Sequence, residues 1–221
     1  MNILDIGALA QSEALANGSL TARALMEATL ERIDAVNGAV NAIVALRPRA
    51  ELLAEADRAD ATPRVGWLHG IPIAIKDLSD AEGLPTAKGS PLFAGTIAQK
   101  DSVFVSRIRA AGAIIIGKTN TPEFGLGSHT FNPVYGPTRN PYAHTRSAGG
   151  SSGGAAAALA TGMLSIADGS DMMGSLRNPA GWNNVYGMRP SWGTVPAEPE
   201  GDMFLHQLSM AGPIWRPCWT R

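Results

Sequence analysis

Apolar positions along the chain switch between two periods. Leu25, Met26, Leu30, Ile33 and Val36 recur at helical spacing and form one apolar stripe, so a helix is predicted from a Thr21 cap to about Val36. A shorter helix is expected over residues 3–16, closed by Asn17-Gly18. Asn41–Leu46 reads as a strand, and Pro48 suits the first turn of a helix reaching about Ala59. Beyond a polar break at Asp60–Arg64 the period drops to two. Ile71, Ile73 and Ile75 alternate, which predicts a strand ending on Lys76. Residues 78–100 read as loop. Asp101 is expected to cap a helix over Ser102–Ala111, with Val103, Val105, Ile108 and Ala111 on its buried face. Ala113–Ile116 is a continuous apolar run, the pattern of a strand covered on both faces. Residues 119–147 hold many Asn, Pro, Gly and Thr and predict a long ordered surface segment, of the kind that lines sites. Ala155–Leu164 is small and apolar and predicts a buried helix followed by a short strand. Val185–Met188 predicts another strand and residues 190–204 a loop. The last nine residues, from Pro213, show no periodicity. Helices alternating with buried strands make an α/β fold.

Composition narrows the class without choosing a function. The 221 residues suffice for one large domain or two small ones. Lys+Arg is 18 and Asp+Glu is 19, a net charge of −1, so no nucleic-acid footprint is present. The single cysteine, Cys218, excludes an internal disulfide framework and fits a reducing compartment. The N-terminus lacks a basic leader, and Gly153–Ala167 is too short to cross a membrane, so the reading is cytoplasmic, with no membrane partner. Asn17-Gly18-Ser19 matches a glycosylation acceptor but is discounted without a leader.

The candidate chemistry lies in two Ser- and Gly-rich turns, Gly149–Gly154 and Gly169–Ser175, on either side of the Ala-rich segment. Glycines let several backbone N–H groups approach one ligand, and serines there can be nucleophiles or proton relays. Two short motifs compete. Gly112–Thr119 satisfies the phosphate-loop pattern, but its four variable positions are themselves the expected strand. Gly149–Gly153 satisfies the nucleophile-elbow pattern, for which a triad of Ser151, Asp202 and His206 could be drawn, yet the preceding Pro141–Arg146 makes a poor strand. Lys76 alone reads as a lysine snorkelling at a strand end.

A longer pattern is more specific. GGSSGG, an Ala-rich helix, then Asp171-Met172-Met173-Gly174-Ser175-Leu176-Arg177-Asn178-Pro179-Ala180, with Ser175 lying 24 positions after Ser151, resembles the amidase signature family. Gly70–Asp77 is similar to that family's lysine strand, and Asp101–Gly125 to its next block; the likeness runs from about Leu25 to Pro213. The resemblance implies a serine amidohydrolase on a mixed β-sheet flanked by α-helices, needing no metal or organic cofactor. It implies Ser175 as nucleophile, Ser151 as a relay serine after a cis peptide bond, and Lys76 as base. It further implies an oxyanion hole from the backbone N–H groups of Met172, Met173, Gly174 and Ser175, an acyl pocket lined by Gly125, and support from Ser152, Asp171 and Arg177. The histidines receive no role beyond surface or packing positions. The partner implied is a small-molecule amide, with a homodimer when full length. Two departures stand out. Met173 replaces a usual glycine, which would strain the backbone if φ were positive there. The tail after Gly212-Pro213 reads as an out-of-frame or truncated end, so the chain is expected to be the N-terminal portion of a single domain, incomplete at its C-terminus. The alternatives are an inactive fragment of such an amidase and the amidase subunit of a tRNA-dependent amidotransferase.

Overall fold

In the computed structural model, which describes residues 3–198 and 208–216, the chain opens with helices α1 (Ala8–Ala16) and α2 (Ala22–Val40). α1 starts at Ala8 rather than near residue 3, because the residues before it form a turn held by Gln11, whose side chain donates to the Ile3 carbonyl at 2.9 Å. α2 has the expected cap: Thr21 Oγ1 accepts the Ala24 N–H at 3.0 Å. It runs past Val36 to Val40, where Asn41 turns left-handed at φ 53°. Asn37 then stitches the helix end to the next strand, its Oδ1 accepting the N–H groups of Ala42 and Ile43 at 3.0 Å.

β1 (Ile43–Leu46), α3 (Arg49–Ala61), β2 (Pro72–Lys76), α4 (Val103–Ala110) and β3 (Ile114–Thr119) follow. β3 is the centre of a mixed sheet, antiparallel to β1 and parallel to β2. Alternation along β3 accounts for its burial on both sides. Ile114 and Ile116 join the core beneath α2 and α3 with Leu30 and Leu52, while Ile115 joins Ile73, Ile75 and Val105 on the other face. The strand continues beyond Ile116 through Gly117, Lys118 and Thr119, all buried. Only glycine fits at 117, since a Cβ there would lie 2.3 Å from the Ala45 carbonyl oxygen of β1. Asp101 does not cap α4. Ser102 takes that position, and the Asp101 carboxylate instead accepts the Glu82 N–H at 2.8 Å and pairs with Arg109 at 2.7 Å.

The polar segment folds into two small hairpins, β4 (Phe131–Asn132) with β5 (Gly136–Pro137) and β6 (Arg139–Asn140) with β7 (Ala143–Ser147). Asn132 organises it, donating to Asn120 Oδ1 and the Thr121 carbonyl at 2.7 Å and accepting from Val134 and Tyr135.

α5 (Gly153–Ala160), β8 (Ile166–Asp171), α6 (Arg177–Trp182), β9 (Tyr186–Gly187) and β10 (Met210–Trp215) complete the described chain. The helix lies where it was expected. The strand starts only at Ile166, however, so Gly169-Ser170-Asp171, read above as part of a turn, forms its second half. β10 runs antiparallel between β8 and β9 and takes in Pro213, Ile214 and Trp215 of the aperiodic tail. Burial alternates along it, with Met210, Gly212 and Ile214 inward. Asp202, His206 and Cys218 lie outside the described residues. The two three-stranded sheets meet where β2 abuts β8: the Lys76 N–H donates to the Asp168 carboxylate at 2.8 Å. The architecture is a mixed α/β fold with helices on both faces. Among the described residues no helix is long and apolar enough to cross a membrane.

Gly154 opens α5 beneath the end of β3. A Cβ there would lie 2.3 Å from the Asn120 nitrogen and 2.8 Å from the Ala42 carbonyl oxygen, both backbone atoms. Gly154→Ala is expected to cost about 2 kcal/mol through overpacking. Urea unfolding measures it, and an unchanged or raised midpoint contradicts this account of the packing.

Candidate active site

Lys76 ends β2 with its side chain aimed inward, only 1% exposed, so it does not snorkel. Among the described residues its amine has three side-chain partners, all hydroxyls: Ser151 Oγ at 2.7 Å, Ser152 Oγ at 2.9 Å and Ser170 Oγ at 3.0 Å. Ser151 and Ser152 come from the turn that opens α5, where the Gly150–Ser151 peptide bond is cis. Ser170 comes from β8, on the same strand face as Asp168 two residues earlier. Burial pushes the Lys76 amine down to about 7, against the charges of Asp168 and Asp171, which favour its protonated form. Burial likewise raises Asp168 to about 6, opposed by the Lys76 N–H and by the Lys76 and Lys118 charges.

The three hydroxyls are not equivalent. A neutral amine donates two hydrogen bonds and accepts one. Ser152 gives its own proton to the Ser170 carbonyl at 3.3 Å, so it can only accept from Lys76. Ser151 and Ser170 have no such commitment among the described residues, and Ser151 makes the shorter contact, so its O–H can point at the amine lone pair.

The loop after β8 is built on Asp171. Its buried carboxylate accepts the N–H groups of Gly174 at 2.8 Å and Leu176 at 3.2 Å, and pairs with Arg177 at 2.9 Å and Arg189 at 3.1 Å. Burial pushes this carboxyl up. Arg177 and the two N–H groups outweigh that and hold it well below the usual carboxylate range. Gly174 carries the positive φ of the loop, 111°, and Met173 does not, so the methionine in place of a second glycine brings no left-handed strain. Met172 and Met173 are exposed, and Ser175 is half-buried. The Ser175 carbonyl accepts the Ser152 N–H at 3.3 Å, which ties the two serine-bearing loops together. The Gly174 N–H already has Asp171 as its acceptor and so differs from the other three N–H groups expected to face an oxyanion. Gly125, at φ 71°, sits against Leu78; a Cβ there would lie 2.6 Å from Leu78 Cδ1.

Sequence reasoning did not single out Ser170 or Asp168, which meet Lys76, or the buried pair Asp77 and Lys118. The signals were present in part: Asp168 and Ser170 alternate as a strand face would, and Lys118 belongs to the misleading phosphate-loop match. Of the histidines, His69 bonds the Ala59 carbonyl at 2.8 Å and His129 rests against Trp182, which are packing roles.

The family model described as Amidase matches residues 24–217. The chain belongs to the amidase family. An acylamidase of Rhodococcus erythropolis is 41% identical over 221 residues, covering 97% of this chain and 46% of the relative. A Glutamyl-tRNA(Gln) amidotransferase subunit of Sulfolobus acidocaldarius is 40% identical over 183 residues, covering 83% of this chain and 38% of the relative. Among solved structures, a 6-aminohexanoate cyclic dimer hydrolase complexed with substrate matches with a TM-score of 0.87 at 32% identity, covering 96% of this chain and 44% of that one. This amidase-family chain thus spans less than half the length of the relatives it matches.

Asp171→Asn is expected to destabilise the chain by roughly 3 kcal/mol at neutral pH, the low end for breaking a buried ion pair. A carboxyl whose folded pKa is depressed contributes stability that is present above its unfolded pKa and lost as pH falls through the folded one. The gap between variant and wild type should therefore shrink below about pH 4. Urea midpoints across pH measure this, and a gap independent of pH speaks against the carboxylate as its source.

Proposed function

We propose that this chain carries the catalytic centre of an amidase that cleaves a small-molecule carboxylic amide to acid and amine or ammonia through an acyl-enzyme. The observation that carries the reading is the buried Lys76 amine, held among serine hydroxyls and shifted to about 7. A free lysine, with a pKa of about 10.4, is a poor base at neutral pH, whereas this one is substantially unprotonated there. Ser175 attacks the carbonyl carbon of the amide. Its proton passes to Ser151 Oγ while the Ser151 proton passes to Lys76 Nζ. The tetrahedral oxyanion is met by backbone N–H groups of Met172, Met173 and Ser175, with Gly174 kept in the loop by Asp171. The C–N bond breaks as the proton returns through Ser151 to the leaving nitrogen. Water then hydrolyses the ester of Ser175 by the same relay. Two relatives, one named an acylamidase and the other part of an amidotransferase, support amide chemistry. Amide cleavage inside an amidotransferase complex is the second reading, and release of ammonia only with partner subunits present would mark it.

Treatment of the purified chain with a serine-reactive fluorophosphonate is expected to give one adduct by intact mass, absent in Ser175→Ala. No adduct on a folded sample supports the inactive-fragment alternative. The labelling rate should rise with pH through about 7, because only the neutral amine accepts the proton. A rate flat between about pH 5.5 and 8.5 would remove Lys76 from the role of base.

A further inference from the structure

A second lysine is buried on the strand next to Lys76. Neither Lys118 on β3 nor Asp77, immediately after β2, exposes any side-chain surface, and Lys118 Nζ lies 3.9 Å from Asp77 Oδ1. Lys118 donates to the Ser79 carbonyl at 2.5 Å and to Thr86 Oγ1 at 3.2 Å. Asp77 accepts the N–H groups of Ala87 at 3.1 Å and Gly89 at 3.2 Å. Burial pushes the lysine down and the carboxyl up, and each is opposed chiefly by the other's charge. A buried pair of this kind is seldom worth more to stability than apolar residues of the same volume. Its bonds point to a different use.

They close a ring beside the Lys76 cluster: Leu78 follows Lys76 by two residues, and Gly127, two residues beyond Gly125, lies against Gly150, where a Cβ would be 2.9 Å from the Gly127 carbonyl oxygen. Asp77 grips the turn at Ala87–Gly89. Lys88, in the middle of that turn at φ 52°, presents its carbonyl to the Phe124 N–H at 2.8 Å. Phe124 is itself left-handed, at φ 53°, and meets Phe93 edge-on at 6.1 Å. Gly125 comes next, with Leu78 filling the space where its side chain would be. Leu78 leads back to Asp77, and Lys118 pins the ring from inside at Ser79 and Thr86.

We propose that Lys118 and Asp77 are positioning residues that hold Leu78 against Gly125 and thereby set the size of the acyl group the site accepts. The proposal rests on the Ser175 reading above. Any group entering beside Gly125 meets Leu78, and Leu78 cannot retreat while its flanking residues are clamped to two buried charges.

The test compares labelling rates at Ser175 for a methyl and an octyl fluorophosphonate in the wild-type chain, in Leu78→Ala and in the double variant Lys118→Met/Asp77→Asn. The double change removes both charges together, so neither is left buried and unpaired. Both variants are expected to shift the octyl-to-methyl ratio towards octyl by about tenfold, the scale of a pocket wall that yields to one or two methylenes. A general loss of structure would lower both rates without moving their ratio. Thr86→Val, which deletes one hydroxyl of the clamp, is expected to move the ratio in the same direction by about two- to threefold, since the clamp loses one neutral hydrogen bond; it keeps the proposal open to refutation if the double variant does not fold. A wild-type chain that is not labelled at Ser175 overturns the amidase reading, and this proposal with it. A labelled wild type whose ratio is unchanged in Leu78→Ala, in the double variant or, where that one is unfolded, in Thr86→Val overturns the proposal alone.

Discussion

An amine leaves water at low cost only if it gives up its proton, and burial accordingly pushes the Lys76 amine down to about 7. Its side chain is fully enclosed and its partners are hydroxyls rather than carboxylates. The nearest acid on the adjoining strand, Asp168, is engaged by the Lys76 backbone N–H. Three separate parts of the chain must converge for this to hold: the end of β2, the turn before α5 and the face of β8. That convergence is also the seam at which the two sheets meet, so the site and the architecture share one set of contacts.

The two buried lysines show how the partner decides the state of the same side chain. Lys118 faces the Asp77 carboxylate at 3.9 Å, whose charge favours the protonated amine against the effect of burial. Lys76 faces three hydroxyls, of which Ser152 can only accept while Ser151 can also donate, so a neutral amine is accommodated there without an unsatisfied group. Asp171 shows the opposite case for an acid. Surrounded by N–H groups and guanidinium groups, it stays ionised and becomes the point on which the Met172–Ser175 loop is hung.

The match to family members of at least twice its length puts the chain's share of the fold in context. The frame it shares with them includes the residues discussed above, whereas a fold does not by itself name a substrate. Within this chain, Met172 and Met173 are exposed after β8, and Leu78 fills the space beside Gly125.

By itself the sequence determined the elements whose signal is local. Thr21 capped its helix, the alternating isoleucines placed β2 with Lys76 at its end, and the Ala-rich segment formed α5. The spacing of Ser151 and Ser175 marked the candidate site through a pattern, without saying what would surround it. Local signals misled where distant partners decide. Gly169-Ser170-Asp171 reads as a turn because glycine and serine are turn formers, but pairing with β10 makes it a strand. Asp101 reads as a cap, but Arg109 and the Glu82 N–H claim its carboxylate. Pro213, Ile214 and Trp215 of the tail show no period of their own and are strand because β8 and β9 flank β10. The burial and partners of Ser170, Asp168, Asp77 and Lys118 were beyond local reading for the same reason. A pKa, or the choice between a solvated and a buried charge, is set by the groups within a few ångströms, and tertiary packing brings those together from remote positions in the chain.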